Sequence, residues 1–580
     1  MPGRSFLLAA LAACVAAGCA TTGSGRFPSP AALDALGPAP APAQLTALDT
    51  APVERWELSG PLPEGTSVGP AVYEGGGFGA ELSAFAREKA SFDASADMAC
   101  IARENGRFLL SQGAPAPRDL QRYIIGRCGS TVVRHRSLTI TGDVQDSVPE
   151  SEVLAHWRED FRKMLADLPA GGHLAAGVWF GHSKGKVLVL LAFGDRAVRL
   201  DPIRSVPAAD GTVTLRGEVL APAIRVEALV NKGRFQFASC EPEPSVQLPR
   251  FAFRCAVNRA DPSTWASLFV YPPGRLLGNP GVEVLVFPQG QALSTFSRPA
   301  VPASPGADGG DDSLRFAQLL NGLRAEAGLP ALVLSEGESA TARKVAPHYF
   351  AATLGLVPPT VADTVALGLM AGWNVEQLTR GGYFSADWVG SGDVAALLAE
   401  MLDQPGARRT LFDPGVRAIA FGSFRVPERH VLGGLVATYA TFDDAPPASE
   451  AKKVVDALDR QRAARGVGPV ELVALPPDAR EEMDQALASS GSSKDALRAV
   501  MARALQLTGQ SVQGIVVETG SLDALQFPDE LLRRSPLVVF VSVTHYRPKG
   551  EPWGRYVVAV AYTAQVGQTA SRETTPLPGG

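Results

Sequence analysis

A nine-residue helical phrase occurs twice in this chain, and any fold the chain adopts must accommodate both copies. Leu320-Asn321-Gly322-Leu323-Arg324 through Gly328 is matched by Leu458-Asp459-Arg460-Gln461-Arg462 through Gly466, each aligned pair standing 138 positions apart. The match includes the apolar face, the arginine and the closing glycine. Glycine is favoured just past a helix end because it takes a positive φ without a Cβ clash. A face and a stop signal repeated together mark a duplicated structural unit. The chain has 580 residues, 46% of them hydrophobic, which predicts three or four compact domains, since single cores rarely exceed about 250–300 residues. A net charge of −5 over this length is nearly neutral and predicts no nucleic-acid partner, which would need a clustered basic face.

The order of segments predicts a multidomain α+β chain. After a signal-like stretch (1–19), residues 20–79 read as a Pro/Ala-rich tether and irregular lead-in. Such a composition cannot bury a core. Residues 80–202 read as a diverged α/β unit. It has one helical period over Ala86–Leu110 and another over Leu154–Leu165, followed by the strand-like runs LAAGVWF and KVLVLLAFG. Residues 203–298 alternate apolar and polar positions in short runs broken by Pro, Gly and Asp, the pattern of an immunoglobulin-like β-sandwich with Cys240 and Cys255 on consecutive strands. A linker (299–312), a third unit (313–445), the repeat-bearing C-terminal unit (446–566) and a polar tail (567–580) expected to be disordered follow.

The third unit carries two motifs. Asn321, Arg324, Gly328, Leu329, Pro330 and Leu332 spell N-x-x-R-x-x-x-G-L-P-x-L, and Gln404–Pro414 spells Q-P-G-A-R-R-T-L-F-D-P. Together they resemble a bacterial CAP domain, the family of cysteine-rich secretory, antigen 5 and pathogenesis-related proteins. The resemblance implies an α-β-α sandwich, extended by the repeat to 446–566 and by the order of its elements to 80–202. Family members can hold a divalent metal with two histidines, a G-E-N segment and a further acid. In this sequence His348 stands at the first histidine, Trp373-Asn374 where Glu-Asn is expected, and Ala407 at the second histidine. One imidazole cannot supply the three or four ligands a metal needs. The resemblance therefore implies a degenerate cleft lined by His348, Trp373, Asn374 and Ala407, with no metal, no cofactor and no catalytic residue. Glutamate at 373 and histidine at 407 would then complete a three-point zinc site. Tyr349, Phe350, Tyr383 and Phe384 either fill the vacated cleft as core or line an apolar site for a lipid or peptide, some family members being lipid binders.

The amino terminus resembles a bacterial lipoprotein signal. Arg4 precedes an apolar run, Phe6–Ala17, too short to span a bilayer, which takes about 20 residues. Ala16-Ala17-Gly18-Cys19 then resembles a lipobox, implying acylation at Cys19 and, with Ala20 following, an outer-membrane address. Leu11-Ala12-Ala13-Cys14 is a rival, and an ordinary cleaved signal is the remaining reading. Cys100, Cys128, Cys240 and Cys255 suit an oxidising compartment; their grouping suggests Cys100–Cys128 and Cys240–Cys255, though four cysteines allow three pairings.

Gly181-His182-Ser183-Lys184-Gly185 spells G-x-S-x-G, but a nucleophile elbow needs a helix after the serine, and the sequence that follows is a second strand. It reads as a hairpin turn. The functional reading is a non-catalytic cell-envelope lipoprotein, periplasmic or surface-exposed, that binds a lipid, peptide or envelope ligand or acts as a scaffold. An envelope hydrolase or protease with an unrecognised site is the rival.

Overall fold

The computed structural model describes residues 27–40, 53–59, 77–89, 92–145, 147–169, 172–204, 206–290, 293–298, 311–390, 392–426, 431–442 and 446–564. The signal-like stretch with Cys14 and Cys19, most of the 299–312 linker and the tail lie outside them. The chain separates into two compact units, one spanning 24–376 with 382–439, the other 377–381 with 440–580. Among the described residues no helix is long and apolar enough to cross a membrane.

Three four-stranded sheets share one strand order. Side by side in the first lie Phe92–Ala94, Leu174–Ser183, Lys186–Asp195 and Arg136–Asp143. In the second lie Val333–Leu334, Ala418–Val426, Val431–Thr441 and Thr379–Val389, and in the third Glu471–Leu472, Leu537–Tyr546, Arg555–Ala564 and Gln513–Thr519. Each begins with a short strand laid parallel to its neighbour. Each neighbour then continues into an antiparallel partner.

The second sheet shows how the sequence pattern builds the layers. Ala418, Ala420, Leu435 and Ala437 pack with the helices Glu336–Thr353 and Thr360–Ala371. The alternate positions Ile419, Phe421, Leu432 and Val436 pack with the helices Asp312–Glu326, Val394–Leu402 and Pro405–Phe412. Successive strand residues point to opposite faces, so a strand apolar at every position is covered on both sides. The result is an α-β-α sandwich. Gly422 lets helix and sheet meet closely, since a Cβ there would lie 2.2 Å from the backbone carbon of Ala342. Gly177 does the same in the first sheet against the backbone nitrogen of Ala99.

The repeated arginines do the same work in both copies. Arg324 and Arg462 are each fully buried. Arg324 Nε donates to Pro330 O at 2.9 Å and Nη1 to Leu411 O at 2.6 Å and Asp413 O at 3.4 Å. Arg462 Nε donates to Gly468 O at 2.7 Å and Nη1 to Arg534 O at 2.8 Å and to Leu531 O. Asn321 and Asp459 each accept a backbone N–H eleven residues on, from Leu332 and Val470. The sequence repeat is thus a structural repeat: an arginine fork gathers carbonyls left over by the following loop and by a later helix end.

In the first unit, the single helical period expected over Ala86–Leu110 divides. Helices Phe78–Arg87 and Ala96–Gln112 are separated by the strand Phe92–Ala94. Pairing with Leu174–Ala176 fixes this backbone as extended, and that tertiary constraint overrides the local apolar spacing. A further helix, Arg118–Arg127, was not apparent from the sequence. Ser183 sits at the end of a strand and pairs with Lys186 around the two-residue turn Lys184-Gly185, both at positive φ. No helix follows it.

Two further antiparallel sheets follow. Glu241–Pro242, Arg250–Ala256, Thr212–Val219 and Val198–Leu200 form one; Asn279–Val286, Thr264–Tyr271, Arg225–Lys232 and Gln236–Ser239 form the other. They share one core that includes Leu215, Phe253, Val230 and Leu268. Cys240 lies where the chain passes from one sheet to the other, and its disulfide to Cys255 pins that crossing. A second disulfide joins Cys100 to Cys128. Closing loops of 28 and 15 residues is worth about 3 kcal/mol each in the chain-entropy picture.

Within residues 20–79 the described stretches 27–40 and 53–59 are docked onto the domains that follow. Arg55–Glu57 pairs with Thr295–Ser297, Leu58 is buried, and Glu104 accepts from the Ser59 hydroxyl at 2.6 Å. Farther upstream, Pro30–Asp34 is helical and Leu33 is only 4% exposed. A Pro/Ala-rich stretch cannot make its own core, but one leucine suffices to dock it onto another.

Candidate functional site

The four candidate cleft residues are distributed over the second sandwich rather than gathered. His348 is buried on helix Glu336–Thr353. Burial, then the Lys344 charge one turn away, hold its imidazole below the usual histidine range. Trp373 and Asn374 follow the left-handed Gly372, which ends helix Thr360–Ala371. The Trp373 indole is half-buried and donates from Nε1 to Pro28 O at 2.8 Å. Asn374 is exposed and its Nδ2 donates to Thr341 Oγ1.

Ala407 lies elsewhere. It is 2% exposed on Pro405–Phe412, packed with Phe316, Leu411 and Phe421 in the helical layer on the opposite face of the sheet from Glu336–Thr353. The structure thus places Ala407 in a different layer of the sandwich from the helix that carries His348. Among the described residues no three His, Cys, Asp or Glu side chains come together as a metal-holding group.

The residue that sequence reasoning missed is Glu338. Its side chain is 1% exposed and its Oε2 accepts the Asn374 backbone N–H at 2.8 Å, while Oε1 is buried with no hydrogen-bond partner. Burial pushes this carboxyl up to about 7, the Asn374 N–H opposing and the Glu376 charge adding to the rise. Tyr439 is held above its usual range by burial and by the Glu338 charge. The only sequence signal was its place in the first turn of a helix that meets the Trp373-Asn374 turn.

A measurable pH dependence follows. Because the native pKa lies above the unfolded value of about 4.5, Glu338 contributes most to stability at low pH. That contribution is lost as pH rises from about 4.5 through about 7. Glu338→Gln is expected to flatten this loss and to be more stable than the native chain at pH 8 by up to about 3 kcal/mol. Urea unfolding at pH 5 and 8 checks it; equal pH slopes for both proteins would refute it.

The Q-P-G-A-R-R motif helix does its work outward, against the two-sheet domain. Arg408 Nη1 donates to Gly233 O at 2.8 Å and Gln236 O at 3.1 Å, and Arg409 pairs with Glu227 at 2.8 Å. Phe412 stacks on Phe235 with ring centres 5.3 Å apart. Even Gly406 takes part, because a Cβ there would lie 2.8 Å from the Phe269 ring. Next to it Arg122, from the helix Arg118–Arg127, bonds Glu400 at 2.7 Å and lies 4.8 Å over the Trp265 ring.

A cavity of about 570 Å³ opens at this seam, lined by Tyr123, Trp265, Phe296, Arg298, Glu400 and Arg408 among others. Its charged groups are already engaged: Arg298 with Asp119, Arg408 with backbone carbonyls, and Glu400 with Arg122.

No family model matches the chain, and no curated protein matches it. Solved structures similar to part of it include an extracellular protein containing a SCP domain from Bacillus anthracis strain Ames, 13% identical over 48% of this chain and 92% of that one, with a TM-score of 0.17. Another is a cysteine-rich secretory protein from Staphylococcus aureus subsp. aureus Mu50, 11% identical over 42% of this chain and 89% of that one, also at 0.17.

Proposed function

We propose that this chain is a non-catalytic cell-envelope lipoprotein, anchored through Cys19 at the outer membrane, whose degenerate CAP-like units act in ligand binding or scaffolding. The observation that carries the reading is the use made of the motif helix Pro405–Phe412. Where the resemblance expects a histidine turned to a reactive cleft, Ala407 is core, and the adjoining Arg408 and Arg409 clamp the two-sheet domain. A helix committed to holding domains together suits a scaffold better than a reaction centre. Its immunoglobulin-like partner would serve as a second recognition surface.

The anchor is tested by Cys19→Ser, which is expected to move the protein from the membrane fraction to the soluble envelope fraction, with Cys14→Ser leaving it in place. Retention of the Cys19→Ser form in membranes would end the lipoprotein reading. Scaffolding is tested by Arg408→Ala together with Arg409→Ala. Limited proteolysis is expected to separate the two-sheet domain from its neighbour at protease concentrations the native chain withstands.

A further inference from the structure

We infer that the surface formed by helices Glu336–Thr353 and Thr360–Ala371 with Trp373 is a peptide-docking groove, closed in cis by residues 28–36 acting as a displaceable latch. The inference deepens the binding role proposed for this unit and gives its ligand a chemistry.

Three contacts define the seat. Leu33 enters the core among Val345, Ala346, Phe350, Val365 and Leu369. It rests on Gly368, where a Cβ would lie 2.7 Å from the leucine's Cδ2, so the helix carries a glycine at the point where the visitor needs room. Five residues upstream, the Pro28 carbonyl accepts the Trp373 indole N–H. Proline has no N–H of its own, so this residue presents only an acceptor. One residue downstream, Asp34 pairs with Lys344 at 2.6 Å on the exposed side.

The groove is thus built as a receptor: an apolar hole, a fixed donor and a cation, in a row spanned by the segment from Pro28 to Asp34. The occupant is a short segment with an exposed ion pair. Its helix is only five residues long, and the ion pair is exposed and screened by salt. The matching partner is a peptide with a free carbonyl, a leucine five residues later and an acid next to it. Tryptophan at 373, in place of the carboxylate the resemblance expects, is what supplies the indole donor.

The test uses the full chain and a fluorescein-labelled synthetic peptide of residues 27–40. Leu33→Asp should empty the groove, so the peptide is expected to bind that variant at least tenfold more tightly than the unaltered chain, read by anisotropy. Unlabelled peptide should compete; the same peptide carrying Leu33→Asp should not. Adding Gly368→Leu to the variant should abolish binding by filling the seat. Equal binding to the variant and unaltered chains, or binding that survives Gly368→Leu, would overturn the proposal.

A second variant guards against misfolding. Leu33→Cys with Gly368→Cys is expected to form a new disulfide, since the leucine's Cγ lies 3.0 Å from a Cβ built at 368. Absence of that bond under oxidising conditions would equally overturn the latch. Bond formation with no peptide binding to the emptied groove would leave a static strap and refute a displaceable one. Neither result bears on the membrane-fractionation or proteolysis assays, so failure here is separable from failure of the scaffold reading.

Discussion

Arg122→Ala is expected to lower the stability of the larger unit by about 3–5 kcal/mol, the usual penalty for stranding one partner of a buried ion pair. Arg122 and Glu400 are both almost wholly buried, 2.7 Å apart, with Asp403 3.6 Å from the same guanidinium. Burial works against the charge on Arg122, yet Glu400, Asp403, Glu283 and Asp387 together raise its pKa. Burial in turn pushes the Glu400 carboxyl up, against the pull of Arg122. Neither group would tolerate loss of the other. Truncation also removes the cation–π contact with Trp265, worth about 1–2 kcal/mol when desolvated. Replacing both partners, as in Arg122→Met with Glu400→Leu, is expected to recover most of the loss, because an apolar pair carries no desolvation penalty. A urea-unfolding double-mutant cycle reads the coupling directly. A single-mutant cost below about 1 kcal/mol would show the pair to be solvated and the seam open.

The second large effect is expected at the duplicated arginines. Arg324→Lys and Arg462→Lys should each destabilise their unit by about 2–4 kcal/mol, despite keeping the charge. Each guanidinium gathers carbonyls from two separate segments, and an unpaired buried carbonyl costs about 1–3 kcal/mol. Lysine offers one rotating point charge where the site needs a planar fork. Burial holds both arginines below the usual range, so little of their contribution comes from charge pairing. Thermal unfolding of the two variants should show similar losses, and a loss confined to one copy would argue that the repeat is sequence without shared mechanics.

Those arginines were legible because a long side chain with a unique hydrogen-bonding shape cannot be exchanged, so duplication leaves it in register. The hairpin at Lys184-Gly185 was legible because two apolar runs flank a polar turn closed by glycine. What stayed hidden depends on partners distant in sequence. Phe92–Ala94 is a strand only because Leu174–Ala176 lies beside it, and its residues carry no strand pattern of their own. Leu33 is one leucine in a Pro/Ala-rich stretch, and its importance comes from Gly368, over 300 positions away. Glu338 looked like an ordinary first-turn glutamate until the turn at Asn374 closed over it. The layer in which Ala407 packs was hidden for a related reason. Motif order along the chain does not reveal which face of a sheet each helix will cover, and Ala407 went to the other one.

The shared strand order also sets an order of events in folding. In the first sandwich a two-residue turn joins the central strands, so they can meet within microseconds. The short parallel strands at the edges of the first two of these sheets close spans of about 80 residues, at a larger entropic cost. Each edge strand, with the helix that precedes it, should therefore join late, after the hairpin and its covering helices have formed a nucleus. Substitutions in Phe78–Arg87 or Asp312–Glu326 would then speed unfolding and leave refolding rates nearly untouched.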